Sequence, residues 1–403
     1  MSRVVIVGAG PAGASLAYLL SNRGIDTTLI ERRRDFTREF RGEVLMPSGI
    51  EALEQIGLAS VLAGVPSQEQ QDLNLYMNGK LTLSETLDPS TFQNRLPLAV
   101  SQAALLEAIV EVSAQSPSFK FERGVAVKEL VLDGETVSGV LIRDDDGERV
   151  LQADLVIGAD GRNSVVRKQM GVSNKHMNPP MDIVWCKLPC PENWQGVQAY
   201  AGRGHLLMAY HTWDDSLQLG WVILKDTFGD FRSQGIAAWL EEMANHVSPE
   251  LAAHLATHQD AVQKPFLLSA VSDCVECWSK PGVLLIGDAA HTMSPVAGQG
   301  INLALRDTIV AANHLIPELS RTEVDPVSLN KAQHAIEEER MQEVEYIQAL
   351  QAQPPKLLLS RAWWGEPLRR LAGLALSNRR IRLMAAKRAA VFPFGVVTVQ
   401  LRV

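Results

Sequence analysis

The sequence predicts an α/β fold with an inserted, mostly antiparallel β-sheet and a helical C-terminus, and three observations predict it. Three apolar runs, Val4 to Val7, Leu155 to Ile157 and Val283 to Ile286, each end in a turn of small residues. Such short apolar runs read as strands buried on both faces. Between residues 176 and 264 apolar and polar residues alternate with a period of two, and beyond Leu329 the period becomes helical. A chain of 403 residues, 46% of them hydrophobic, is long enough for two or three lobes around a large core.

The first run continues as Gly8-Ala9-Gly10-Pro11-Ala12-Gly13 and then Leu16, Ala17, Leu19 and Leu20 at helical spacing. Gly8 permits a tight turn, Gly10 lets backbone approach a pyrophosphate, and Gly13 allows a helix to pack close to a strand. The free N–H groups and positive dipole end of that helix favour phosphate. A second strand, Thr27 to Ile30, ends in Glu31 and Arg32, about 20 residues past the glycines. A carboxylate there can accept both hydroxyls of a ribose. Strand, glycines, helix, strand and acid in this order predict a Rossmann-type dinucleotide-binding unit.

The second run leads into Gly158-Ala159-Asp160-Gly161-Arg162-Asn163-Ser164, where Asn163 or Ser164 can cap the following helix. The third leads into Gly287-Asp288-Ala289-Ala290-His291 and on to Pro295, Gly298, Gly300, Ile301 and Asn302. Asp288 at a strand end can hold a ribityl or ribose hydroxyl. A helix starting near Gly298 would turn its positive end toward a flavin edge and stabilise negative charge there. His291 reads as a structural hydrogen-bonder rather than an acid or base.

These three motifs, in this order and at these separations, resemble the para-hydroxybenzoate hydroxylase-like class of single-component FAD monooxygenases. The resemblance covers residues 1 to 175 and 265 to 315 best. Arg41-Gly42-Glu43 with Pro47-Ser48 is similar to the family's flavin-contacting loop, and Gln102 stands where the family often places an Arg. The resemblance implies a discontinuous FAD-binding domain (1–175 and 265–325), a substrate-binding sheet domain (176–264) and a C-terminal helical region (326–403). It implies FAD held by residues matching Glu31, Arg41, Gln102, Asp160 and Asp288, and NAD(P)H as a transient co-substrate. The implied reaction is hydroxylation or epoxidation, by way of a flavin hydroperoxide, of an apolar, aromatic or unsaturated small molecule. A flavin halogenase or a prenyl-lipid reductase of the same superfamily remains open, as does a flavin-binding subunit without turnover. Gly220-Trp221-Val222-Ile223-Leu224 lacks the second Trp and the Pro of a halogenase segment.

In the middle region Leu217, Leu219, Trp221 and Ile223 share one strand face, expected to roof the flavin as a dry chamber. His205, His211 and Tyr210 read as rim or solvated residues, and no catalytic side chain is assigned, since oxygen transfer is largely the cofactor's chemistry. Cys186, Cys190, Cys274 and Cys277 lack nearby His or glycine knuckles and read as ordinary thiols, with no metal site. An N-terminus that enters a strand by Val4 leaves no room for a signal peptide, so a cytoplasmic protein is expected. The net charge of -8 argues against nucleic acid. From Lys356 onward, however, ten Lys/Arg face one acid. That tail reads as a basic helical cap on an acidic body, with a peripheral membrane contact as the sharper alternative.

Overall fold

The computed structural model describes residues 3–37, 44–177, 179–202, 204–262, 265–353, 359, 367, 371, 375 and 378–403. The three apolar runs lie side by side in a six-stranded sheet. Its order is Ser279–Lys280, Val283–Leu285, Leu155–Gly158, Arg3–Val7, Asp26–Glu31 and Phe119–Arg123. All neighbours are parallel except the antiparallel edge strand Ser279–Lys280. Parallel strands need cover on both faces, which is why these runs are apolar throughout rather than alternating. Helix Pro11–Ser21 packs against both Gln102–Ser113 and the long helix Gln299–Leu319.

The second sheet has seven strands in the order Phe266–Ser269, Met181–Pro189, Ser216–Leu224, His205–His211, Val197–Gly202, Asp72–Met77 and Lys80–Thr86. It is antiparallel apart from the pair Val197–Gly202 with Asp72–Met77. The expected boundaries at 176 and 264 are therefore corrected, because three strands from outside that span complete the sheet. A local signal was present: Asn78 and Gly79, both at positive φ, turn the alternating run Leu73, Leu75, Met77 into Leu81 and Leu83. Asn-Gly between alternating runs is a strong hairpin signal.

The expected roof of the flavin is also corrected. Leu217, Leu219, Trp221 and Ile223 pack with Trp239, Leu240, Met243, Leu251 and Leu255, which belong to helices Ile236–Ala244 and Pro249–Thr257. The opposite face, bearing Ile183, Trp185, Tyr210 and Val222, clusters with Ala99, Val44 and Val296 beside the start of the long helix. Both faces of this strand are buried, so alternation identified two faces without saying which one meets the cofactor lobe.

Helix Pro326–Gln351 lies along Gln299–Leu319. The helical period beyond Leu329 predicts a second helix from about Leu358 to Arg388; about half of it, Trp363 and Trp364 included, lies outside the described residues, and its last part is the helix Arg379–Ala389. Among the described residues, Arg382 joins that helix to the sheet through an ion pair with Glu85 at 3.3 Å. The chain does not stay helical to its end: beyond Gly395 it bends at Val396 and Val397 and continues without regular structure. Gln55 grips Val399 and Leu401, and Asn313 grips Gln400 and Arg402, each amide both donating and accepting. No helix among the described residues is long and apolar enough to cross a membrane.

Candidate cofactor site

The glycines of the first motif divide into two that lock the fold and one that leaves space. Gly8 has φ +101°, and a Cβ there would stand 2.5 Å from the Ala159 carbonyl oxygen. A Cβ on Gly13 would stand 2.0 Å from the Gly8 oxygen. Gly10, the N-cap of helix Pro11–Ser21, has nothing within 4 Å of its Cβ position. The first two glycines are therefore required by the protein itself, and the third keeps a helix N-terminus open. Glu31, nearly fully buried, accepts from the backbone N–H of Ala9 and of Arg33, each at 3.0 Å. These bonds aim the carboxylate across the turn. Arg32 beside it is exposed.

The other two motifs meet the first. Ala159 N–H donates to Val7 and Ile286 N–H to Gly158, while a Cβ on Gly287 would lie 3.3 Å from Ala12. Thr308 of the long helix donates to the Ala12 carbonyl. Asp288 is half-buried, and its Oδ1 lies 3.8 Å from where Gly300 would carry a Cβ. Pro295, Gly298, Gly300 and Ile301 are half-buried around the start of helix Gln299–Leu319, with Gly298 at φ +59° and open space at its Cβ position. An acid, a helix N-terminus and glycines without neighbours thus converge on one edge of the parallel sheet.

Several of the expected contact residues carry structural work within the protein. Asp160 accepts from Ser164 Oγ and from the N–H groups of Val165 and Val166, so it anchors the start of helix Val165–Met170. Burial pushes its carboxyl up from the ordinary range, and these hydrogen bonds oppose that. Asn302, fully buried, accepts from Met46 N–H at 2.8 Å and donates to the carbonyls of Val44 and Gly298. It staples the loop before the long helix to the segment after residue 43. Gly49 faces it so closely that a Cβ would stand 2.1 Å from the Asn302 oxygen. Gln102 opens helix Gln102–Ser113, behind the capping Ser101. Arg41 lies outside the described residues.

Behind the third motif lies a buried charge cluster that the sequence reading did not find. Asp307 Oδ2 accepts from Gly287 N–H at 2.9 Å and from His291 Nε2 at 2.6 Å, and its Oδ1 accepts from Arg340 Nε at 2.7 Å. Arg340 continues to Glu343, which also binds Arg306 at 2.8 Å and the N–H of Val396 at 2.7 Å. His291, bonded to Asp307, lies against Trp278 with ring centroids 4.9 Å apart. Burial acts to raise the Asp307 pKa, but His291 and Arg340 outweigh it and hold the carboxyl down at about 2.

The thiols are quiet. Burial pushes Cys186 up to about 12 and Cys274 up to about 11, so neither is a thiolate near neutral pH.

The open cradle at Gly10, Glu31, Asp288 and the helix start near Gly300 fits an extended dinucleotide. Comparison with known proteins agrees. The family described as "FAD binding domain" matches residues 1–334. The chain is 30% identical over 400 residues to 6-methylpretetramide 4-monooxygenase of Streptomyces rimosus, covering 99% of this chain and 94% of that protein. It is 25% identical over 327 residues to squalene epoxidase 4 of Arabidopsis thaliana, covering 79% of this chain and 63% of that longer protein. Among solved structures, p-nitrophenol 4-monooxygenase PnpA from Pseudomonas putida DLL-E4 has a TM-score of 0.79 at 16% identity, covering 99% of this chain and 100% of that one. PqsL of P. aeruginosa, in complex with 2-aminobenzoylacetate, has a TM-score of 0.77 at 22% identity, covering 89% and 97%. With the cradle assembled and the family matched over most of its length, the chain belongs to the FAD-binding-domain family and is an FAD-dependent monooxygenase of the para-hydroxybenzoate hydroxylase-like class.

Proposed function

We propose that this monooxygenase takes electrons from NADH or NADPH and hydroxylates a flat aromatic molecule lying between the cofactor and the inner face of the seven-stranded sheet. The observation that carries this reading is Trp185. Its indole lies across Gly220, the residue paired with it on the neighbouring strand, so closely that a Cβ would stand 2.6 Å from the ring. Buried with Tyr210 and Val222 in the cluster that includes Val44 and Val296, the indole would offer a planar aromatic surface to a ring inserted there. Flat rings stack on such a surface with gains of about 0.5–1.5 kcal/mol beyond burial. The named substrate of the Streptomyces relative, 6-methylpretetramide, is the first molecule to try.

In this reading the N-terminus of helix Pro11–Ser21 would hold the pyrophosphate, Glu31 a ribose and Asp288 the ribityl side. Gly298 to Asn302 present the positive helix end to the ring. Bound FAD supplies the redox and oxygen-transfer chemistry. The protein's share is to hold it, orient the substrate against Trp185 and keep the inner face dry. We take the compartment as cytoplasm, supported by four cysteines that form no disulfide.

The direct test is oxygen-dependent NAD(P)H oxidation by the flavin-loaded protein, with and without aromatic candidates, and with peroxide measured. Stimulation with little peroxide supports the reading; turnover that persists without oxygen points to a reductase instead. Gly220→Ala should displace the indole, keep FAD bound, and cost about 1–3 kcal/mol of stability through overpacking. Substrate-stimulated oxidation should fall and the peroxide fraction rise; unchanged coupling would remove Trp185 from the substrate wall. Asp288→Ala should fold normally yet lose most of its flavin, read as the flavin-to-protein absorbance ratio after purification. A ratio equal to wild type would take Asp288 out of the cofactor site.

A further inference from the structure

The outer face of the seven-stranded sheet, turned away from the cofactor loops, carries a cluster that oxygenation does not use. His205 opens the strand His205–His211. Glu242 sits in the last turn of helix Ile236–Ala244, and His246 follows four residues later, just past the helix end. His246 Nε2 lies 3.3 Å from Glu242 Oε1, and His205 Nε2 lies 3.8 Å from the same oxygen. The two imidazole rings stack with centroids 4.0 Å apart. Among the described residues this is the only trio of His, Cys or carboxylate groups whose ligand atoms all fall within 4.8 Å of one another.

We propose that His205, Glu242 and His246 bind one borderline divalent transition-metal ion of the zinc class. Two imidazoles and a carboxylate suit Zn2+, Ni2+ or Cu2+ and do not suit Mg2+ or Ca2+, which take oxygen ligands. Zinc bonds of about 2.0–2.2 Å at tetrahedral angles put donors roughly 3.3–3.5 Å apart. The His246–Glu242 separation already meets this, while the stacked imidazoles must turn about their side-chain bonds to bring both in-plane Nε2 lone pairs onto one ion. The Glu242 side chain keeps 46% of its exposure, so water can complete the coordination. Trp221, buried, meets both rings edge-on, at 5.5 Å from His205 and 6.3 Å from His246, and forms an apolar wall behind the site. Such a wall raises the local field on the ligands by excluding solvent. The ion would tie the outer helix layer to the sheet. Its work is to clasp the substrate lobe, with no part in the reaction on the other face.

The test uses the FAD-loaded full chain, stripped with chelator and titrated calorimetrically with Zn2+, with Mg2+ as the comparison. One Zn2+ per chain, a raised thermal midpoint and no Mg2+ response are expected. Glu242→Gln, on the exposed rim, should fold and retain flavin as wild type. It should lose more affinity than the ~10–100-fold that outer-sphere changes cost, because it removes a direct ligand. His246→Ala should lose as much or more. Zinc binding unchanged in Glu242→Gln and abolished instead by His254→Ala, whose ring stacks on His258 at 4.1 Å, overturns the proposal, as does the absence of stoichiometric binding. If His246→Ala misfolds, the Glu242→Gln titration decides alone.

Discussion

Asp307→Ala is expected to destabilise the protein by about 3–5 kcal/mol, the cost of breaking a buried ion pair from one side. Asp307 is fully buried and answers three donors at once: Gly287 N–H, His291 Nε2 and Arg340 Nε. Without it, Arg340 keeps only Glu343, which must already balance Arg306. A cluster of two acids and two guanidiniums becomes one with an excess buried cation. The chain would answer by admitting water or loosening helix Pro326–Gln351 from helix Gln299–Leu319. The loss would spread to the cofactor edge through Gly287 and to the tail through Val396, which donates to Glu343. The midpoint in denaturant should fall with little change in slope. Acid gives a second check on the same residue. A carboxyl held down at about 2 contributes stability fully above its ordinary range near 4, and that contribution disappears as pH falls toward about 2. Wild type and Asp307→Ala should therefore converge over that window. Equal midpoints at neutral pH would show that the cluster contributes no net stability.

That cluster also marks where the sequence stopped being readable. The cofactor lobe was legible because glycines report backbone demands directly. Gly8 and Gly13 stand where a Cβ would strike backbone, and the strands beside them are apolar enough to be buried twice over. Arg306, Asp307, Arg340 and Glu343 gave no such signal. On paper Glu337-Glu338-Glu339-Arg340 resembles the solvated side of a helix, yet Arg340 is fully buried while Glu338 is exposed and Glu337 and Glu339 are half-buried. Only the packing of two long helices reveals which charges turn inward. Asp160 and Asn302 show a related limit: motif positions identify residues the site needs, without separating ligand contacts from the staples that shape the loops. The sheet face was misassigned for a simpler reason, since a strand apolar on both sides carries two equal candidates. His205 read as a rim residue because its companions, Glu242 and His246, lie some 40 residues away in sequence.

The strongest discrimination between shape and ligand comes from glycines in one turn. Gly10→Val is expected to leave the folded protein within roughly 0.5 kcal/mol of wild type and to abolish FAD retention. Gly10 has φ -73° and ψ -177°, extended backbone that valine adopts without strain, and apart from its two chain neighbours nothing lies within 4 Å of its Cβ position. The added side chain therefore occupies only the space at the helix N-terminus, where a pyrophosphate must come within hydrogen-bonding distance of the N–H groups. Affinity should fall by about a hundredfold, near the upper end of an overpacking cost of ~1–3 kcal/mol. Gly13→Val meets the opposite constraint, since its Cβ would stand 2.0 Å from the Gly8 oxygen. Helix and strand would have to separate, so that variant should lose both stability and flavin. Denaturation of the two apoproteins, paired with an FAD titration followed by flavin fluorescence, separates the cases. A stable Gly10→Val that binds FAD as tightly as wild type would move the cofactor off this helix end.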